Sequence, residues 1–272
     1  CNYDQTVYIP GDIPRGGMTV FGSLYAEGFG GKGANQAVMA ALLGTRTSMV
    51  GAVGQDSIGE RTRRNFESLG IDTSHLASKA DVASGVAQIT VGGDGQNVII
   101  VVPGANLQLT VQEVEAARNE IQTSKVVLLQ NEILPSVSCA AMRVAREAPQ
   151  GTGRPLIVLN AAPAPKVGPH AERGEWADIS DHLRLCDVLC VNESEAQTLS
   201  GVAITGEGDE LLKSAEAAGA ALRQKGAESV LLTLGEAGCM LLEGDKPPHA
   251  VPVKGDGARV VDTSGAGDAF LG

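Results

Sequence analysis

The feature that most limits the fold of this chain is a regular alternation of short apolar runs and helix-like stretches in its second half. Strands are predicted over residues 126–130, 156–159, 188–191 and 230–234, and helices are predicted to begin at Thr110 and Pro135 and to cover residues 211–225. Strands that alternate with helices form parallel sheets covered on both faces. We therefore predict an α/β fold of three layers, α/β/α, with a Rossmann-like and mostly parallel central sheet.

The N-terminal part departs from this alternation because it is rich in strand signals. Residues 3–9 and 18–26 have the pattern of two strands, separated by glycine and proline residues. Residues 85–91 and 97–102 have the pattern of a hairpin with a glycine-rich turn. We predict that about residues 5–27 and 84–102 form a small β lid on a single domain of residues 1–272.

Between the two lid segments, the pattern indicates a helix, a buried strand and a second helix. The first helix covers residues 34–43 and the strand covers residues 47–53. Ser57 and Glu60 have the spacing of a capping box, so the second helix is predicted to begin there and to end near Leu69.

The composition excludes several classes of protein. Hydrophobic residues make up 43% of the chain and aromatic residues 3%, so the core is predicted to consist of aliphatic side chains. A formal net charge of −11 argues against nucleic acid or an anionic membrane as a partner, because both require a broad basic surface. No apolar run approaches the ~18 residues of a membrane span and no signal peptide is visible, so we expect a soluble protein. We expect it in the cytoplasm, with an organelle address at a missing terminus as the alternative.

The five cysteines favour a reducing compartment, since their number is odd and no C-x-x-C pair occurs. Cys186 and Cys190 are close enough in sequence to suggest a metal pair. They flank an apolar run, however, and no second Cys or His pair follows. Buried strand cysteines are therefore the favoured interpretation.

A glycine-rich segment near the C-terminus puts a candidate anion site beside a carboxylate. Gly265, Ala266 and Gly267 allow a tight turn with converging backbone N–H groups, and the apolar residues after Asp268 indicate a helix that starts there. A helix N-terminus of this kind attracts phosphate. Asp268 would accept a proton from a hydroxyl that attacks the bound phosphate. The plainer alternative is a glycine-rich turn with an Asp cap.

Further polar residues stand where a ligand of an open α/β sheet would bind, at the carboxyl ends of predicted strands. They are Asn131, Glu132, Asn160, Asn192 and Thr233. A structural ion pair is the alternative to ligand binding for Glu132. For Asn192 and Glu195 the alternative is a capped first helical turn. At the other end of the chain, Asn2 and Asp4 alternate with Tyr3 and so point to one face of a strand, where an amide and a carboxylate can hold vicinal hydroxyls.

Six motifs occur together in a characteristic order and spacing. They are Asn2-x-Asp4, Gly30-Gly31-Lys32-Gly33-Ala34-Asn35-Gln36-Ala37, Asn160-Ala161-Ala162-Pro163-Ala164, Asn192-Glu193-Ser194-Glu195, Thr233-Leu234-Gly235-x-x-Gly238 and Asp262-Thr263-Ser264-Gly265-Ala266-Gly267-Asp268. Through them the sequence resembles the ribokinase branch of the PfkB family of sugar kinases. The resemblance covers essentially the whole chain.

The resemblance implies a ribokinase-like fold and ATP-dependent phosphorylation of the primary 5-hydroxyl of D-ribose to ribose 5-phosphate. Asp268 would be the general base, and the amides of Gly265, Ala266 and Gly267 would form the anion hole. The sugar would be bound by Asn2, Asp4, Gly31, Lys32, Gly33, Ala34, Asn35, Glu132 and Asp268. ATP would be bound by Asn192, Thr233, Leu234, Gly235, Glu236, Ala237, Gly238, Gly267 and Asp268. The family also implies Glu195 in the Mg²⁺ shell and a monovalent cation such as K⁺ on Asp262 and Ser264.

Several alternatives stay open. Gly28-x-Gly30-x-x-Gly33 also matches a dinucleotide fingerprint with Asp56 at the expected distance, but the preceding segment is polar and turn-rich, and Lys32 would crowd a pyrophosphate. Within the family, the substrate could be fructose, a keto-deoxy sugar or a nucleoside, although few aromatic residues are available to stack on a base. A catalytically silent sugar-binding relative is a further alternative, and the intact Asp268 argues against it.

Two expectations concern the ends of the chain and its assembly. Four residues follow Asp268, too few for a stable helix, so we expect further chain to complete the helix. The resemblance implies that this further chain also completes the adenine pocket and the cation site. An exposed β lid has unpaired edges and an apolar face. We therefore expect a homodimer formed through the lid.

Overall fold

A computed structural model describes residues 1–149, 153–164, 179–253 and 265–272. The chain divides into two compact units, which are described separately. The first unit consists of Cys1–Leu109 and Asp268–Gly272, and the second consists of Thr110–Gly267. Within the described ranges, no helix combines the length and the apolar character needed to cross a membrane.

The first unit contains six strands and three helices within its described residues. In chain order they are β1 (Asn2–Tyr8), β2 (Leu24–Gly30), α1 (Lys32–Leu42), β3 (Gly51–Gly54), α2 (Ser57–Ser68), β4 (Leu76–Lys79), β5 (Gly85–Val91), β6 (Asn97–Val102), a 3₁₀ turn (Gly104–Gln108) and, at the end of the chain, α9 (Ala266–Leu271), which belongs to this unit from Asp268 onward. Four of the strands form one sheet in the order β2-β1-β5-β6, while β3 and β4 pair in parallel. The four-stranded sheet contains the predicted lid segments, and its action as a lid stays a prediction.

The register of the four-stranded sheet decides which side chains share a face. Strand β1 runs antiparallel to β2, with Asn2 opposite Gly30 and Tyr3 opposite Phe29, and parallel to β5, with Asn2 opposite Gly85. Because successive residues of a strand point to opposite faces, Asn2 and Asp4 lie on one face and Tyr3 on the other.

The core of the first unit lies between α1, α2 and the short β3–β4 pair. Its buried residues are Ala34, Val53, Phe66, Ile71 and Leu76. Four of these side chains are aliphatic, as the composition predicted, and Phe66 is the aromatic exception. Burial of this cluster ties the N-terminal turns of α1 to the rest of the unit, and these turns carry the glycine-rich motif.

The second unit is an α/β layer structure. In chain order it contains α3 (Val111–Ala116), α4 (Arg118–Thr123), β7 (Val126–Gln130), α5 (Pro135–Arg146), β8 (Leu156–Asn160), α6 (Ser180–Leu185), β9 (Val188–Asn192), α7 (Glu193–Ser200), α8 (Gly208–Gln224), β10 (Ser229–Thr233), β11 (Cys239–Glu243) and β12 (His249–Val251). The sheet order is β12-β11-β10-β9-β8-β7. Strands β7 to β10 are parallel, whereas β11 and β12 are antiparallel. The predicted α/β class and mostly parallel sheet are confirmed.

Asp187 anchors the amino ends of two neighbouring strands in this sheet. Its carboxylate accepts hydrogen bonds from both terminal nitrogens of Arg154, at 2.6 and 2.7 Å, and from the backbone N–H of Ile157 at 2.8 Å. Burial raises the pKa of this carboxyl, but the Arg154 and Ile157 hydrogen bonds outweigh it, so the pKa lies below its ordinary value. The ionised side chain therefore links β8 to β9.

Cys186 and Cys190 are both buried, as predicted, but only Cys190 lies in a strand, whereas Cys186 follows the end of α6. Burial raises the pKa of both thiols to about 12. Cys139 is also buried, whereas Cys239 is partly exposed beside the turn between β10 and β11. All of the cysteines in the chain are free.

Three predicted boundaries in the first unit are wrong. The second strand is Leu24–Gly30 rather than residues 18–26, because its register is set by pairing along the whole of β1. The third strand is only Gly51–Gly54, since this segment alone pairs with β4. The cap of α2 is Asp56 instead of Ser57: its carboxylate accepts from the N–H of Gly59 at 2.8 Å.

Candidate active site

Asp268 lies in the first turn of α9 and is 8% exposed. The side-chain amide of Asn35 donates to its Oδ2 at 2.9 Å, and the side-chain amide of Gln36 donates to its Oδ1 at 2.9 Å. Both donors come from the first turns of α1. An ionised carboxylate has about four lone-pair sites, so these two bonds orient the group without exhausting its capacity to accept a proton.

Gln36 is a site residue that sequence reasoning missed. Its side chain is 1% exposed and lies on a helix of mainly small and apolar residues. A buried amide must find hydrogen-bond partners, and Gln36 finds one in the carboxylate of Asp268. The available signal was a polar residue on a buried helix face, but its partner lies 232 residues away in the sequence.

The candidate anion hole precedes Asp268 and is sterically open. Gly265 has φ of +73°, a value that a glycine adopts without strain. No described atom lies within 4 Å of the Cβ that an alanine would add at Gly265 or Gly267, and both residues are exposed. Asp262 and Ser264, the predicted cation ligands, lie outside the described residues.

The candidate sugar-binding strand is held tightly at Asn2. The side-chain oxygen of Asn2 accepts from Nδ2 of Asn106 at 2.9 Å, and both residues are buried. Asn106 also donates to the carbonyl of Pro103 at 2.8 Å. Asn106, in the 3₁₀ turn after β6, is therefore a second residue that sequence reasoning missed. It fixes the orientation of the Asn2 amide.

Gly30 and Gly31 let the glycine-rich motif approach β1. A Cβ at Gly30 would overlap the carboxylate of Asp4, and a Cβ at Gly31 would lie 2.8 Å from the backbone nitrogen of Asn2. Gly31 has φ of +90° and immediately precedes α1. Lys32 and Gly33 begin this helix and are half-buried, while Ala34 faces the core. The first unit thus brings together the predicted residues of the motif, the strand β1 and Asp268.

The dinucleotide fingerprint is not supported by its surroundings. Strand β2, which leads into the motif, is an antiparallel edge strand, whereas a dinucleotide-binding motif follows a buried parallel strand. The expectation of a turn-rich segment there was wrong, since β2 extends to Gly30. Asp56 binds the backbone N–H and hydroxyl of Ser84 at 2.8 and 2.7 Å. Its carboxylate is therefore engaged in structural contacts.

In the second unit, the predicted polar residues lie at the carboxyl edge of the parallel strands. Asn160 ends β8 opposite Gln130, and Asn192 ends β9 opposite Thr233 of β10. Glu132 follows β7 by two residues and is half-buried. This is the edge at which open α/β sheets bind their ligands.

Asn192 and Glu195 form a reciprocal capping box at the start of α7. The Asn192 side chain accepts from the Glu195 N–H at 2.9 Å, and Glu195 Oε2 accepts from the Asn192 N–H at 2.9 Å. Glu195 is 8% exposed. The arrangement fixes a buried carboxylate beside a helix N-terminus. Among the described residues, no group of three or more His, Cys, Asp or Glu side chains is arranged to hold a metal ion.

The segment from Thr233 to Gly238 is a tight turn between β10 and β11. Gly235 has φ of +51° and Gly238 has φ of +98°. The N–H of Leu234 donates to the carbonyl of Gly238 at 2.8 Å, which closes the turn. Glu236 and Ala237 lie in its short 3₁₀ segment. The turn presents backbone groups next to the end of β10. These are the residues that the resemblance assigns to ATP binding.

Comparison with known proteins gives consistent results. Residues 12–272 match the family described as pfkB family carbohydrate kinase. The chain is 36% identical to ribokinase from Mus musculus over 262 residues, which is 96% of this chain and 74% of the relative. It is 32% identical to deoxyribokinase from Salmonella typhi, over 96% of this chain and 78% of the relative. The solved structure of Arabidopsis thaliana ribokinase complexed with ribose and ATP matches with a TM-score of 0.80 at 28% identity, over 99% of this chain and 80% of that one.

Proposed function

Because the chain belongs to the PfkB family of carbohydrate kinases, we propose that it transfers the γ-phosphoryl group of ATP to the primary 5-hydroxyl of D-ribose. The observation that carries this proposal is the buried carboxylate of Asp268, held by Asn35 and Gln36 directly after the glycine-rich turn. Similarity to a mouse ribokinase, and to a plant ribokinase structure in complex with ribose and ATP, supports ribose as the substrate.

In the proposed reaction, Asp268 accepts the proton of the sugar hydroxyl while the hydroxyl oxygen attacks the γ-phosphorus. The new O–P bond forms as the bond between the γ-phosphorus and the bridging oxygen breaks, and ADP leaves with that electron pair. The backbone amides of residues 265–267 stabilise negative charge on the transferring phosphoryl group. The products are ribose 5-phosphate, ADP and the proton taken up by Asp268.

We assign sugar binding to Asn2, Asp4, the residues from Gly31 to Asn35, and Glu132. Amide and carboxylate groups two residues apart on a strand suit neighbouring hydroxyls, because one group donates and the other accepts. Lys32 adds an ammonium donor. The glycines permit close approach of the backbone to the sugar.

We assign ATP to Asn192, the turn of residues 233–238, and Gly267. Mg²⁺ supplies positive charge that offsets the charge of the ATP phosphates when it is bound. Glu195 suits the Mg²⁺ shell, because Mg²⁺ commonly meets a protein through one or two acids and retains waters. A monovalent cation, held by Asp262 and Ser264, is part of the same proposal.

The experiment that tests the function is a substrate screen with the full-length protein. ADP formation is measured with ATP, Mg²⁺ and either K⁺ or Na⁺, using ribose, deoxyribose, fructose, a keto-deoxy sugar and a nucleoside. The highest kcat/KM is expected with ribose. Deoxyribose is the second candidate, since the chain is 32% identical to a deoxyribokinase. Turnover with none of these substrates would leave a silent binding protein as the better interpretation.

Substitution of Lys32 or Glu132 by alanine is expected to raise the KM for ribose more than the KM for ATP, because both are assigned to the sugar. Steady-state kinetics with each substrate varied in turn measures the difference. Lys246→Ala is a matched control, since this lysine is exposed and pairs with Glu243. An equal rise in both KM values, or a rise for ATP alone, would contradict the assignment.

We further propose that a second copy of this chain covers β6. All six residues of this strand are exposed, it lies at the sheet edge, and five of the six are valine or isoleucine. The strand has no charged residue that would oppose self-association. Ile100→Lys is expected to convert a dimer to a monomer in analytical ultracentrifugation, whereas Leu43→Lys, an exposed position at the end of α1, is not. A monomeric wild-type protein would refute the proposal.

A further inference from the structure

The strand that carries Asn2 and Asp4 is held by contacts on the face opposite to these two side chains. Tyr3 lies between these two residues and therefore points away from the sugar side. The register places Tyr3 opposite Phe29 and Gln5 opposite Glu27, so Phe29 and Glu27 share the face of Tyr3. The rings of Tyr3 and Phe29 pack edge to face, with centroids 5.6 Å apart and planes at 75°.

Arg61 of α2 reaches across to this face and makes two contacts there. Its guanidinium carbon lies 4.7 Å from the centroid of the Tyr3 ring, which is a cation–π distance. Its Nη2 lies 3.1 Å from Oε1 of Glu27. The other carboxylate oxygen of Glu27 accepts a hydrogen bond from the hydroxyl of Tyr25 at 3.0 Å. The guanidinium thus links a helix of the core to both β1 and β2.

The burial of these side chains shows what the link covers. Tyr3 is only 2% exposed, although the side chains of Arg61 and Glu27 are 44% and 39% exposed. The guanidinium therefore forms part of the cover over a buried ring. An ion pair this exposed contributes little to stability by itself. Its effect is expected on the orientation of the strand, since the ring beneath it belongs to the residue that stands between Asn2 and Asp4 in β1.

We propose that Arg61 is a positioning residue for sugar binding, which acts through Tyr3 and Glu27 to hold Asn2 and Asp4 in the orientation that meets the sugar hydroxyls. This inference rests on the proposed function. Arg61 contacts the face opposite to Asn2 and Asp4, so it does not bind the sugar itself. Its loss should weaken sugar binding while ATP binding and the proton transfer at Asp268 are retained.

The test compares substitutions of Arg61 and Tyr3 in the full-length protein. Arg61→Ala and Tyr3→Leu are each expected to raise the KM for ribose about 3- to 10-fold, the scale of a partly buried cation–π contact. The KM for ATP should stay within about twofold. Tyr3→Phe keeps the ring and should resemble the wild type, and Arg61→Lys keeps the charge without the planar fork and should be intermediate. Arg64→Ala, an exposed arginine on the same helix, is the matched control.

A double-mutant cycle decides whether Arg61 acts through Tyr3. If it does, the variant with both Arg61→Ala and Tyr3→Leu raises the KM for ribose no more than the stronger single substitution. If the two substitutions multiplied each other's effect on the KM for ribose, the proposal would be overturned. The same holds if Arg61→Ala had the KM for ribose of Arg64→Ala, or if Arg61→Ala raised the KM for ATP as much as the KM for ribose. Wild-type turnover is measured first: its absence would refute the proposed function, whereas an active wild type with an unaffected Arg61→Ala refutes this inference alone.

Discussion

Asp268→Asn should lower kcat for sugar phosphorylation by about 10²-fold or more, the usual scale for a lost general base. Asparagine keeps the shape of the side chain but cannot accept the proton of the attacking hydroxyl. The dissociation constant for ATP should change little, because the amides of residues 265–267 belong to the backbone and are retained. Rapid-quench or coupled measurements of ADP formation give kcat, and equilibrium dialysis gives the affinity for ATP.

The matched control for this prediction is Asp245→Asn, which removes one negative charge from an exposed turn. It should leave both quantities unchanged. A second comparison separates chemistry from orientation: Gln36→Leu removes one of the two donors that hold the carboxylate. It should lower kcat less than Asp268→Asn does. Turnover of Asp268→Asn at the wild-type rate would remove Asp268 from the mechanism.

Gly31→Ala should be more damaging than the same substitution at Gly28 or Gly30. The backbone at Gly31 has φ of +90°, which an alanine adopts only at a cost of about 1–3 kcal/mol. Its new Cβ would also lie 2.8 Å from the backbone nitrogen of Asn2, which cannot rotate away. Strand β1 and the start of α1 would have to separate. We expect a lower free energy of unfolding together with a KM for ribose raised by more than about tenfold.

Gly28→Ala provides the control for this prediction, because Gly28 lies on β2 and no described atom is within 4 Å of its would-be Cβ. Gly30→Ala should be intermediate in stability, since the three atoms nearest to its Cβ all belong to the side-chain carboxylate of Asp4 and not to the backbone. Urea unfolding and steady-state kinetics on all three variants give the order. If Gly31→Ala and Gly28→Ala behaved alike, the close approach of the motif to β1 would have no functional role.

The sequence was most informative where one pattern repeats. The parallel strands of the second unit and the hairpin of residues 85–102 were predicted almost to the residue, because alternation and a glycine-rich turn are local signals. The glycine-rich motif was also visible as a unit. What made Asn35 and Asp268 neighbours, however, is a contact between residues 233 positions apart, which no local pattern contains.

The missed residues have a common physical cause. Gln36, Asn106 and Arg61 act through long-range partners, and each type is ordinary in its local context. The predicted start of β2 was wrong because the end of a strand is set by where its partner strand pairs with it, which the sequence of the segment itself does not show. The cap of α2 was assigned to Ser57, although Asp56 was available one residue earlier and gains a second partner in Ser84.

Once Cys1, which is also partly exposed, is replaced by serine, the different burial of the remaining thiols makes the chain suited to site-selective chemistry. Cys139, Cys186 and Cys190 are closed to a water-soluble alkylating reagent until the second unit opens, so their rate of modification reports the free energy of that opening. Cys239 is partly exposed and pairs with Thr233 at the base of the turn of residues 233–238. A label on Cys239 would therefore lie beside the turn that we propose binds ATP. Bound ATP should slow the labelling of Cys239, and this rate can be followed directly.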